Sequence, residues 1–168
     1  WYRWKRRENG SRSYACQRWK GKVVIMQKLF NTEFEVSMRL LILLDSISNL
    51  NEDELAYLDF FSIYSKSFNF ENDNLNGDCS FPINEITIQR KLIKNAIKDL
   101  VLKSFIKVNY DKIKGYVYSA TNDGYSYVRK IDDSYSRQYQ QNVRIIKNSI
   151  SPISISKLKE IAAQRRDD

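Results

Sequence analysis

Arg90, Lys91, Lys94 and Lys98 recur at helical spacing, which gathers four cations within about a third of a helix circumference. Lys112 and Lys114 follow near the tip of a predicted turn. Cations arrayed this way can contact phosphates, the interaction that supplies most non-specific nucleic-acid affinity. Beside Arg90, only Thr87, Gln89 and Asn95 offer groups that could read base edges. A second chemistry is available from Arg90, Tyr64 and Phe68, because arginine and aromatic side chains dominate protein-interface hot spots.

The residues needed for catalysis are scarce. There is no histidine, which removes the commonest general base, the commonest zinc ligand and every Ser–His or Cys–His nucleophile. Glycine stands only at 10, 21, 77, 115 and 124, too sparsely for a phosphate-binding glycine loop. Cys16 and Cys79 are 63 positions apart and make no zinc site by themselves. The run Asn72-x-Asn74-x-Asn76-Gly77-Asp78 has the outline of a calcium loop. It fails at its first position, Asn72, and at its twelfth, Ile83, where a bidentate Glu is required. The paired acids Glu52–Glu54 and Asp132–Asp133 read as cap and helix-face residues. The expectation is a protein that is not an enzyme and takes no cofactor or metal.

The elements that position these residues follow from periodicity and caps. Thr32-x-x-Glu35 opens a helix over about 32–48, with Val36, Leu40, Leu43, Leu44 and Ile47 on its apolar face. Asn51 and Glu54 open a second, along which Tyr57, Phe60, Phe61, Tyr64 and Phe68 form an aromatic stripe. That stripe is either a core face or an exposed docking face. After a polar loop over 69–82, a third helix spans about 84–103, with Ile93, Ala96, Ile97 and Leu100 opposite the cations. Strands Phe105–Tyr110 and Gly115–Ala120 flank a turn at Asp111–Gly115, with Ile106, Val108 and Tyr110 on one side. Thr121 caps a short helix to about Ile131. A long helix from Asp133 carries Tyr135, Tyr139, Val143, Ile146 and Ile150 and ends at Ser151-Pro152. Ile155, Leu158, Ile161 and Ala162 make one more amphipathic segment. This is a mostly α fold with a small β-hairpin: a winged-helix-like domain over 26–131, with additional C-terminal helices over 132–168 that pack on it or on a partner.

Charge is unevenly placed. Residues 1–25 hold eight Lys/Arg against Glu8, whereas residues 26–168 hold 20 basic and 19 acidic side chains, so the net charge of +8 divides into +7 and +1. All three Trp also lie in the first 25 residues. This basic N-terminal extension reads as either a disordered phosphate-tracking arm or a stretch ahead of a natural start at Met26. No apolar run is long enough to span a bilayer, and two distant cysteines suit a reducing compartment, so the expected location is cytoplasmic, with no membrane partner.

Two function classes remain: a stand-alone DNA-binding winged-helix transcription regulator, and an adaptor that binds other proteins. The near-neutral 26–168 region weakens the first, since DNA readers carry a clear basic excess. Three stretches bear on the choice: Leu29-Phe30-Asn31 through Met38-Arg39-Leu40-Leu41-Ile42-Leu43-Leu44-Asp45, then Leu55-Ala56-Tyr57-Leu58-Asp59-Phe60, then Ile88-Gln89-Arg90-Lys91-Leu92-Ile93. Over about residues 28–150 they resemble the middle component of bacterial ABC-three-component systems, which include Lamassu-type anti-phage and anti-plasmid systems. The resemblance implies a small non-catalytic winged-helix protein. It would couple an SMC/Rad50-like ATPase subunit to an effector subunit of the same operon, often a nuclease, with DNA reached indirectly through the complex. It points to Arg39, Asp45, Tyr57, Asp59 and Arg90 as the matching polar positions, either as partner contacts or as ion pairs of Arg39 or Arg90 with Asp45 or Asp59. The chain departs from the pattern at Gln89, where a second arginine is frequent, and near Tyr64, where a histidine is frequent.

Overall fold

A computed structural model describes residues 32–70, 72–77 and 82–164, with no account of the side chains of 82–85 and 164. The expectations for residues 1–25 lie outside the described residues. Thr32 and Asn51 each start a helix through a reciprocal capping box. The Thr32 Oγ1 accepts from the Glu35 N–H (3.2 Å) and the Asn51 Oδ1 from the Glu54 N–H (2.8 Å), while both glutamates accept the cap N–H in return. Helix α1 covers Glu33–Ser46 and α2 covers Glu52–Ile63. Between them Asn49 adopts a left-handed φ of 59° and Leu50 runs extended.

Helix α2 is buried on nearly every side, from Glu54 through Ile63 apart from Tyr57. Such an all-round apolar helix is a central element, not a surface one. Its aromatic run is therefore core: Phe60 and Phe61 are fully buried, so the docking-face alternative fails for them. The helical period also stops before Phe68. A 3-10 turn over Lys66–Phe68, ended by Asn69 at φ 59°, folds the Phe68 ring back onto Phe61 at 4.6 Å and Phe60 at 5.6 Å.

Helix α3 spans Pro82–Leu102; Pro82 takes its first position, where the missing N–H costs nothing. Ile86, Ile93, Ala96, Ile97 and Leu100 face α1 and α2. Strands β1 (Ile106–Asp111) and β2 (Gly115–Ala120) pair antiparallel from Ile106 opposite Ala120 to Asp111 opposite Gly115. The turn is held by the Asp111 Oδ1, which accepts the Ile113 and Lys114 N–H groups at 2.8 Å each, and by Gly115 at φ 77°. Leu50 joins the far edge of β2 through two backbone bonds with Tyr118.

Helix α4 (Asn122–Val128), capped by Thr121, lies under the hairpin base. Helix α5 (Ser134–Ile150), capped by Asp133, packs on α1 and α2 through Tyr139, Val143, Ile146 and Ile150, and α6 (Ile155–Gln164) reaches α2. The chain is mostly α with a small β-hairpin, as its sequence suggests. Among the described residues no helix is long and apolar enough to cross a membrane.

Candidate functional site

The polar positions picked out by motif do not share one surface. Arg39 from α1 and Asp59 from α2 are 2% and 0% exposed and pair inside the core. The Arg39 Nε donates to Asp59 Oδ1 at 2.9 Å and its Nη2 to Oδ2 at 3.2 Å. The same carboxylate accepts from Gln89 Nε2 of α3 at 2.5 Å and from the Tyr139 hydroxyl of α5 at 2.8 Å. One anion thus gathers donors from α1, α3 and α5. Burial by itself disfavours the charged guanidinium, but the Asp59 charge and hydrogen bond outweigh it, and the Arg39 pKa is raised. Burial, followed by the neighbouring Asp59 charge, pushes the Tyr139 hydroxyl well up. Tyr135, beside Arg39, is raised chiefly by burial as well.

This burial corrects the expectation for two residues: Arg39 and Asp59 are not on a contact surface. Gln89, 5% exposed and aimed at Asp59, is not a base-edge reader either. Asn95 is spent on the Glu33 Oε1 of α1 at 3.1 Å. Sequence reasoning missed that Tyr139 belongs to the cluster. A tyrosine on an apolar stripe signals a hydroxyl needing a buried acceptor, but it does not say which one.

Arg90 is half-exposed and reaches Asp53 at 2.9 Å, with its guanidinium carbon 5.6 Å from the centre of the Tyr57 ring. Its ion pair is therefore with Asp53, not Asp45 or Asp59; Asp45 is exposed on α1. Tyr64 is half-buried at the end of α2, its ring 4.9 Å from Phe60. Lys91, Lys94 and Lys98 are exposed on α3, and Lys112 is exposed at the hairpin tip. Lys114 is bound back to the core: its Nζ lies 2.8 Å from Glu54 Oε1, the same buried residue that closes the α2 capping box. The structure thus joins Arg90, Tyr57 and Asp53 in one group and Lys114 with Glu54 in another.

The hairpin differs from the alternating strand expected. In β1 only Ile106 is buried; Val108 and Tyr110 project beyond the core, with Tyr110 72% exposed and its ring edge-on to Tyr116 at 5.7 Å. Ile113 at the tip is 96% exposed. On the other side, a hollow between hairpin and helix termini is lined by Ser48, Asn49, Lys107, Asn109, Asn122 and Tyr125 among others. The asparagine-rich loop fastens the fold. Asn72 donates to Asn142 of α5 at 2.7 Å, Asn74 bonds Ser67, and Asn76 accepts from Tyr135 at 3.3 Å. Among the described residues no three His, Cys, Asp or Glu gather as a metal site.

No curated protein and no solved structure matches the chain. A family model described as ABC-three component (ABC-3C) system Middle Component 2 matches residues 29–168. The match takes in Arg39, Asp59, Gln89 and Tyr139 and runs on through α5 and α6. The chain belongs to the middle component 2 family of ABC-3C systems, and is one component of a system that has others.

Proposed function

We propose that the chain is a non-catalytic adaptor that couples an SMC/Rad50-like ABC ATPase to an effector, often a nuclease, in cytoplasmic Lamassu-type defence against phage or plasmids. The observation that carries this reading is family membership over residues 29–168. The geometry supports it. The motif polar groups Arg39 and Asp59 are consumed in holding four helices together, and what remains outward is a cationic helix face and an apolar hairpin. A scaffold that rigidly presents surface is what a coupling subunit requires. The scaffold is winged-helix-like: three helices lead into the hairpin, and Leu50 between the first two adds a one-residue third strand. Tagged protein expressed from its own operon should co-elute with the ATPase and effector subunits at modest salt. Elution alone would overturn the adaptor reading.

One observation favours a second reading, a DNA-binding winged-helix regulator. Lys91, Lys94, Lys98 and Lys112 are exposed and make no ion pair with another described residue. Four phosphate contacts would give a log–log salt slope of roughly −3.6 for duplex binding. Arg90 and Lys114, held by Asp53 and Glu54, subtract from that reading. Residues 26–168 showing no shift of duplex DNA at low salt would remove it.

A further inference from the structure

We infer that the outer edge of β1 receives an extended segment of a partner component, added as a further strand whose residues alternate between apolar and acidic; this rests on the adaptor reading. The backbone fixes which groups are available. Tyr118 of β2 exchanges both its N–H and C=O bonds with Leu50, so those groups point away from β1. In an antiparallel pair, the residue opposite such a position also points away from its neighbour. Val108 is opposite Tyr118, and Ile106 and Tyr110 share its phase. Thr121 N–H donating to Phe105 O at 3.0 Å sets the same phase from the other end of the ladder. The N–H and C=O groups of Ile106, Val108 and Tyr110 therefore line the free edge of β1, and none of them bonds to another described residue.

Side chains around this edge specify the occupant. Natural edges are blunted by charge, proline or a bulge; this six-residue strand has no proline and no bulge in its register, and Lys107 is its one charge ahead of the turn residue Asp111. Its exposed face carries Val108 and Tyr110, continued by Tyr116 and Ile113, which suits apolar residues at alternate positions of an added strand. The opposite face presents Lys107, exposed and in no ion pair with another described residue, with Lys112 at the tip. An acidic residue across from Lys107 completes a cross-strand charge pair. A second copy is the poorer occupant, since it brings its own Lys107 and Lys112 to this edge, whereas an acidic segment is attracted to them.

The test compares residue-resolved hydrogen exchange in the isolated chain and in its complex with the ATPase and effector subunits of its own operon. The amides of Ile106, Val108 and Tyr110 should exchange freely in the isolated chain and become protected in the complex. Val108→Pro removes an outward N–H and should weaken association by roughly tenfold or more with the melting temperature unchanged. Should Val108→Pro lower the melting temperature, Lys107→Glu on the same strand serves instead, with the same weakening expected. A complex in which the three amides exchange as freely as in the isolated chain overturns the inference and leaves the adaptor reading intact. So does association of the operative variant at wild-type strength. Protection already present in an isolated chain of doubled mass overturns it in favour of a second copy. If no complex forms at all, the adaptor reading fails and the inference falls with it.

Discussion

Replacing Asp59 by Ala removes the one anion to which α1, α3 and α5 send donors. It takes the counter-charge from a guanidinium 2% exposed, and the acceptor from the Tyr139 hydroxyl and the Gln89 amide. Breaking a buried pair by deleting one partner costs about 3–5 kcal/mol, because the remaining charge stays desolvated. Two further orphaned donors would add about 1–3 kcal/mol each if nothing relaxed, and water entering the vacated space offsets part of that. A loss of about 5 kcal/mol is expected, against a total stability of roughly 5–15 kcal/mol for a domain. At about 2–4 °C per kcal/mol for a chain this size, the melting temperature falls by roughly 10–20 °C. Urea unfolding of Asp59→Ala, Arg39→Met and the double variant Arg39→Met/Asp59→Ala measures it. The double variant should cost at least about 2 kcal/mol less than the sum of the singles, because it leaves no unpaired charge. A loss under about 1 kcal/mol for Asp59→Ala, or additivity within about 0.5 kcal/mol, would refute the account of this cluster as the central tie.

Tyr139→Phe removes one hydrogen bond to a charged acceptor and should cost about 1.5–3 kcal/mol at neutral pH. Because burial and then the Asp59 charge hold the hydroxyl well above its usual 10.0, stability is complete below that pH and declines above it. Thermal scans from pH 8 to 11 should show that alkaline decline lessened in Tyr139→Phe. Lys114→Ala frees the hairpin from Glu54 at a cost of about 0.5–1 kcal/mol, read as faster amide exchange at the inner ladder positions Lys107 and Asn109. Gly124→Ala places a methyl group against the backbone oxygen of Phe105 beneath the hairpin and should cost about 1–3 kcal/mol in urea unfolding.

The elements were legible where local chemistry decides them. Thr32/Glu35 and Asn51/Glu54 are capping boxes in sequence and in structure, and the Asp111–Gly115 turn and Asp133 cap fall where their side chains dictate. What periodicity could not supply was which faces meet. The aromatic spacing from Tyr57 to Phe68 continues past the end of α2 because Phe68 reaches the same cluster through a 3-10 turn. Alternation in β1 placed Val108 with Ile106 on one side, but the hairpin outruns the core, so only Ile106 is covered. The candidate site was legible in part. Arg39 and Asp59 were visible as a motif pair whose roles stayed open, and long-range geometry alone adds Gln89 and Tyr139. The cations were visible as a helix face, but the tethering of Arg90 by Asp53 and of Lys114 by Glu54 depends on packing of α3 and the hairpin on the start of α2.

The most direct test of the adaptor account is the mass of the native particle purified through this chain from its own operon, measured by native mass spectrometry at modest salt. The account predicts a particle containing the chain, the ATPase and the effector in fixed ratio. A particle of the 19.9 kDa chain alone, binding duplex DNA with a steep salt dependence, would contradict it.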